Sequence, residues 1–271
     1  MNYWTQSPQH IYVAGHRGWR SRFPENTLES FRAAVELGVD QIETDVRVTK
    51  DGQLVLIHDA RVDRTTDGRG EVRQFTLEEL KRLDAGSFLD PKFAGARIPT
   101  LRELFELVRD HPTLTLDLEL KEYPSREPGW EETAFDVCRR TVDMAEEYGF
   151  GDRIVLNTFS EQLMDYIYGT YGRKYRTHVF YPRTLMADRG GDPYRMAYCA
   201  CVGPGRDLEE GRLTAEEIRA FFRDRGIQPW AGAYVRDEAG VDLAVEMGAT
   251  LITADDPQKI LSILRRRGLH P

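Results

Sequence analysis

A chain of 271 residues, 41% hydrophobic and 30% charged, has the composition of a soluble globular protein and the length to bury one large apolar core. Its formal net charge of -8 excludes a general nucleic-acid-binding face, so an anionic ligand would have to find local positive charge. No run approaches the ~18 apolar residues of a membrane span, the polar stretch Met1 to His10 lacks the core of a signal peptide, and Cys138, Cys199 and Cys201 make neither a disulfide framework nor a zinc pattern, which leaves them as reduced packing residues of a cytoplasmic protein.

Along the chain, apolar runs of strand length alternate with amphipathic runs of helical length. Eight barrel strands are predicted: Ile11–Gly15, Asp40–Val48, Leu114–Leu120, Arg153–Thr158, Arg176–Phe180, Met196–Val202, Ile227–Ala233 and Ala249–Ala254. Seven helical segments are expected between them, and an eighth, Pro257–Arg267, follows the last strand. In Thr27–Leu37 the apolar Leu28, Phe31 and Val35 share a face, and Gly38 suits the left-handed C-terminal turn. Thr76 with Glu79, and Thr214 with Glu217, read as capping boxes. Arg265, Arg266 and Arg267 close the last helix, where they favour its dipole. Strand–helix alternation implies parallel pairing through helical crossovers, and eight such units imply an α/β fold of the (β/α)8 TIM-barrel type, with residues 1–271 as a single domain.

One segment interrupts the repeat. Asp51-Gly52 signals a tight turn, and the strand-like Leu54–Ile57 that follows makes an antiparallel hairpin with the second strand. Residues 59–99 then read as a small insertion after strand two, forming a lid or side domain over the mouth of the barrel. A two-residue turn at Asp51-Gly52 would pair position 50 with 53 and set His58 opposite Asp45.

The chemistry-bearing residues fall at strand ends. Strand one closes on Gly15-His16-Arg17-Gly18, which offers a proton-transferring imidazole and an anion-gripping guanidinium. Strand two carries Glu43 and Asp45, whose i, i+2 spacing puts both carboxylates on one face. Facing the barrel interior they would need a cation, and hard oxygen ligands suit Mg2+ or Ca2+; facing outward they would be solvated. Strand three alternates Asp117, Glu119 and Lys121 against leucines, so three charges share the face opposite the helices.

Taken in order, Gly15-His16-Arg17-Gly18, Pro24-Glu25-Asn26-Thr27, Glu43-x-Asp45, His58-Asp59, Asp63-Arg64-Thr65-Thr66-Asp67-Gly68 and Glu119-x-Lys121 make a set that resembles the glycerophosphodiester phosphodiesterase family. Leu83-Asp84-Ala85-Gly86-Ser87 and Ile98-Pro99-Thr100-Leu101 add to it, and the resemblance is dense from about residue 11 to 121. It is sparser afterwards, in Val155–Phe159 and Leu251–Pro257. The family's Trp-Thr-Val-Asn type motif reads Trp230-Ala231-Gly232-Ala233 here, keeping the aromatic and losing the polar residues. The resemblance implies one divalent cation, Mg2+ or Ca2+, on Glu43, Asp45 and Glu119. It implies His16 and His58 as a general acid/base pair, and Arg17 and Lys121 as binders of the phosphodiester. Trp230 would be either a substrate contact or barrel packing. The implied reaction, in lipid and glycerol metabolism, turns a glycerophosphodiester into sn-glycerol 3-phosphate and an alcohol. Alternatives on the same barrel are a phospholipase D-type lyase or lysophospholipase D, a diesterase for an unusual head group, and a non-catalytic phosphoester-binding barrel.

Overall fold

In a computed structural model, residues 10–202 and 214–271 are described. The strands are β1 (Tyr12–His16), β2 (Gln41–Val48), β3 (Leu54–Leu56), β4 (Thr115–Leu120), β5 (Ile154–Asn157), β6 (Arg176–Tyr181), β7 (Cys199–Val202), β8 (Gln228–Ala231) and β9 (Leu251–Ala254). Their order is β1-β9-β8-β7-β6-β5-β4-β2-β3, and an added β1–β2 pairing closes the ring. Leaving out β3, the ring is a closed barrel of eight parallel strands. The major helices are α1 (Leu28–Leu37), α2 (Leu77–Leu80), α3 (Leu101–Val108), α4 (Glu131–Glu147), α5 (Glu161–Tyr171), α6 (Ala215–Arg225), α7 (Glu238–Glu246) and α8 (Pro257–Arg266).

Strand alternation separates two cores. Ile42, Val46, Leu116, Leu118 and Leu156 point outward and pack with Phe31, Leu104 and Phe105 of the helices. The other face of each strand lines the interior, which settles Glu43, Asp45, Asp117 and Glu119 inside the barrel. The barrel floor is apolar, made by Ala14, Val155, Cys199, Trp230 and Leu251. The helix signals read from the sequence hold, with Gly38 at φ 86° and capping boxes at Thr76 and Thr214; the structure adds an N-cap at Thr27, which accepts from Ser30 N, and a further capping box at Thr100.

Two expectations need correction. The hairpin pairs Val46 with Leu56 and Val48 with Leu54, so Asp45 falls opposite position 57, not His58. The loop has three residues: Thr49 N donates to Gln53 O at 3.0 Å, and Gly52 takes φ 79°. That is the geometry of a turn followed by a left-handed glycine, which shifts the ladder by one residue relative to a two-residue turn. The second correction lies between β6 and β7, where a helix was expected. Only a short 3-10 turn, Arg183–Leu185, is found there. Pro182, Gly190, Gly191 and Pro193 disfavour a helix, and the segment is held instead by Glu161, which accepts from Arg183 at 2.6 Å and from Gly190 N at 2.8 Å.

Residues 59–99 follow β3 and pack on a small core of their own, with Val62, Val72, Leu80, Ala85 and Ile98 joining Val55 and Ile57 of the hairpin. They meet the β1–α1 loop, which lies at the carboxyl ends of the strands: Arg64 donates to Glu25 at 2.8 and 2.9 Å.

Candidate active site

Parallel register brings the inward charges to one level. His16 pairs in register with Glu43, Glu43 with Asp117, and Asp45 with Glu119. Ligand oxygens of Glu43, Asp45 and Glu119 lie within 4.8 Å of one another, and all three residues are buried. Burial, then the neighbouring Asp45 and Glu119, push the Glu43 carboxyl well above its ordinary value. Burial also raises Glu119, against the pull of Lys121. Asp45 goes the other way: despite burial, Lys121 and Arg17 hold it low.

Two fixed cations reach these acids. Lys121 Nζ sits 2.5 Å from Glu119 Oε1 and 3.2 Å from Asp45 Oδ1. Burial alone would lower the Lys121 ammonium, but Glu119 and Asp45 outweigh it and raise it. Arg17 Nε lies 3.3 Å from Asp45 Oδ2, its guanidinium donates to Glu25 Oε1 at 2.7 Å, and its backbone N donates to Glu43 Oε2 at 3.0 Å. Arg17 and Asn26 both stand in the left-handed region, at φ 54° and 55°, an uncommon state for side chains of this size that persists where the surroundings over-determine it. Asn26 Nδ2 donates to Asp45 Oδ2 at 2.8 Å while its Oδ1 accepts from Thr44 at 2.7 Å.

Each sequence-predicted histidine is braced by a carboxylate. His16 Nδ1 is 2.6 Å from Asp255 Oδ1, and its Nε2 is 3.8 Å from Glu43. His58 Nδ1 is 2.6 Å from Asp59 Oδ1. Burial lowers His16 against the hydrogen bond it gives to Asp255. Burial also carries His58 down to about 4, with Asp45 opposing and Lys121 and Arg17 adding to the effect. Asp59 is held at about 2 against its burial by Arg64 and His58. Although β3 ends before His58, Arg47 donates to the His58 carbonyl at 2.8 and 3.0 Å and fixes its backbone beside the site.

His16, Arg17, Glu43, His58, Glu119 and Lys121 share one cavity of about 360 Å³. Asp45 lies beneath them, fully buried. Trp230 does not join this cavity. It is 1% exposed and packs in the floor cluster with Ala14, Val155 and Leu251. Sequence reasoning left Asp255 and Asp59 without a function, although both follow strand ends in quoted motifs. It also passed over His178, which lines the same cavity from β6; the alternation Arg176, His178, Phe180 would have signalled its inward face.

The residues fit a divalent cation. Three buried oxygen donors converge, two of them with carboxyls raised by mutual repulsion and burial, and Asp45 Oδ1 makes no directed hydrogen bond despite its burial.

The carboxyl mouth, where this closed (β/α)8 barrel gathers its charged side chains, is where barrel enzymes carry their active sites, and fixed cations beside titratable groups suit an anionic ester. The chain belongs to the Glycerophosphoryl diester phosphodiesterase family, whose sequence model matches residues 16–259. It is 34% identical over 273 residues to the glycerophosphodiester phosphodiesterase of Caldanaerobacter subterraneus subsp. tengcongensis, covering 94% of this chain and 98% of that protein. A Bacillus subtilis glycerophosphodiester phosphodiesterase is 37% identical over 263 residues, covering 93% and 85%. Among solved structures, an Oleispira antarctica phosphodiesterase in complex with sn-glycerol-3-phosphate superposes with TM-score 0.76 at 24% identity, covering 94% of this chain and 97% of that one. A Silicibacter pomeroyi structure gives TM-score 0.79 at 23% identity, covering 97% and 96%, and both likenesses speak to the fold. The protein is accordingly a phosphoric diester hydrolase. No helix among the described residues is long and apolar enough to cross a membrane.

Proposed function

We propose that the chain hydrolyses glycerophosphodiesters to sn-glycerol 3-phosphate and an alcohol, with His16 and His58 moving the protons. The observation that carries this reading is the placing of two carboxylate-braced imidazoles around one buried carboxylate cluster with Arg17 and Lys121 beside it. Glu43, Asp45 and Glu119 would hold a divalent cation, Mg2+ or Ca2+, which would supply positive charge beside the phosphoryl group. Arg17 and Lys121 bind the phosphodiester anion and offset the charge that grows as phosphorus becomes five-coordinate. Asp255 and Asp59 each accept an Nδ1–H, which orients the ring and leaves Nε2 for proton transfer. One imidazole takes the proton of the attacking oxygen, that of water or of the substrate's own adjacent hydroxyl, and the other returns one to the leaving alkoxide; by the second route the cyclic phosphate that forms is then opened by water to give glycerol 3-phosphate. The buried, unbridged thiols of Cys138, Cys199 and Cys201 support a reducing, cytoplasmic setting.

The test is a coupled assay for glycerol 3-phosphate over a panel of head groups, with and without chelator. Release of glycerol 3-phosphate that chelator abolishes and Mg2+ or Ca2+ restores is expected. Full activity in excess chelator would remove the cation from the mechanism. Release of a cyclic phosphate as end product would place the enzyme with the lyases.

A further inference from the structure

The strands divide the cavity wall by charge. β1, β2 and β4 carry His16, Arg17, Glu43, Asp45, Glu119 and Lys121, the groups assigned to phosphate. Four strands round the ring from β1, on the far wall, stands β6, and the side chains there are neutral or aromatic. Asn157 of β5 is in register with Glu119 on one side and with His178 of β6 on the other. His178 is therefore two strands, roughly 10 Å, from Glu119. Both Asn157 and His178 line the cavity, and they are 2% and 3% exposed.

These two side chains hold unused hydrogen-bonding capacity. His178 Nδ1 lies 2.8 Å from Asp117 Oδ2, and Asp117 is fully buried. Its Nε2 has no partner, nor has Asn157 Oδ1. A carboxylate only accepts, so Asp117 takes the Nδ1–H, and in that tautomer Nε2 is the acceptor of the ring. The ring packs against Phe180 and Trp230, with centroids 5.0 Å from each, which fixes its plane. Buried polar atoms in folded proteins are almost always paired. Two acceptors in the wall of a substrate cavity, one of them held by a buried carboxylate, suit a hydroxyl donor. As acceptors, these two atoms take the proton of a hydroxyl rather than the oxygen of an anion.

We infer that His178, positioned by Asp117 and flanked by Asn157, binds the glyceryl hydroxyl remote from phosphorus and so selects a polyol over a plain alkyl ester. This rests on the reading of the site as a glycerophosphodiester hydrolase and deepens it. The hydroxyl donates to His178 Nε2, and the carbon chain lies toward Phe159 and Phe180, whose rings stack on the same wall.

The experiment compares kcat/KM for glycerophosphoethanolamine and for its 2-hydroxypropyl counterpart, which lacks only the remote hydroxyl and keeps the one adjacent to the phosphoester. The ratio of the two values does not depend on the fraction of enzyme folded, so a poorly folding variant still reports. Wild-type enzyme should prefer the glyceryl substrate. His178→Phe keeps an aromatic ring and removes the acceptor, and it should cut the preference roughly 10-fold. His178→Gln, which restores an acceptor, should recover part of it. An unchanged ratio in His178→Phe, with an active enzyme, would show that an ordered water alone meets these atoms and would overturn the inference by itself. Wild-type enzyme that cleaves neither substrate would overturn the functional reading and this inference together.

Discussion

His16 and His58 are alike in one respect and unlike in another. Each gives its Nδ1 to a carboxylate at 2.6 Å, but His16 rises from the end of a barrel strand while His58 follows the hairpin. They thus reach the cavity from separate supports, an arrangement that suits the opposite proton tasks proposed for them. Changing either to Ala should lower kcat by roughly 10²-fold with the fold intact, and the double variant should lose little more, because the two act as a unit. Steady-state kinetics with circular dichroism as the folding control measures this, and near wild-type kcat in His58→Ala would return His58 to a structural role. Period-two alternation named the inward carboxylates of strands two and three, whereas His16 was read from its place at a strand end and His58 from a hairpin register that is one residue out. What alternation does not give is depth along the barrel axis. Trp230 and Gly232 share a face of one chain segment, yet Gly232 borders the cavity and Trp230 lies in the floor. His178 was missed for a related reason: its partner Asp117 is 61 residues away and only the register of β4, β5 and β6 brings them together.

At the level of elements, the insertion was visible as an interruption, but its ladder register was not. The dipeptide Asp51-Gly52 fits both a two-residue turn and the last two positions of a three-residue one, and the choice depends on Thr49. Thr49 Oγ1 accepts from Gln53 N at 2.8 Å and donates to Asp51 Oδ1 at 2.6 Å, which closes the longer loop. Two glycines of this region are needed for different reasons, and substitution separates them. Gly52 stands at φ 79° with only Arg140 NH1 near a would-be Cβ, at 3.6 Å. Gly52→Ala should therefore cost about 1–2 kcal/mol, the left-handed penalty alone, and Gly52→Asn less. Gly86 has no such backbone, but a Cβ there would meet the Phe93 carbonyl oxygen at 1.9 Å, where Asp84 binds Gly86 N, Ser87 N and Gly95 N. Because backbone cannot step aside as a side chain can, Gly86→Ala should destabilise more than Gly52→Ala. Urea midpoints of the three variants check the order, and equal losses at the two glycines would refute the distinction.

For the whole molecule, the eightfold alternation foretold a closed ring, and closure depends on how β1 sits between the second strand and the last. The seam is fastened below the floor. Asp40, just before β2, accepts from Val13 N of β1 at 2.8 Å and pairs with His270 Nε2 at 2.9 Å; Ile11 N donates to Leu269 O at 2.8 Å. No motif announced this clasp, since its members lie at opposite ends of the sequence and carry no catalytic pattern. Burial works against a charged His270, but the hydrogen bond and charge of Asp40 prevail and raise its imidazole above the ordinary 6.5. A raised folded-state value means that the native protein holds this proton more tightly than the unfolded chain. The stabilisation is therefore complete below the unfolded value near 6.5 and is lost as pH climbs through the higher folded value. Asp40 remains partly exposed, which weakens the pair, so about 1 kcal/mol is expected at full strength. Denaturation of wild type and His270→Gln at pH 5.5 and pH 9 should show a stability gap that is largest at the lower pH and shrinks at the higher. A gap that does not change with pH would mean that the neutral ring alone fastens the seam, through shape and an uncharged hydrogen bond.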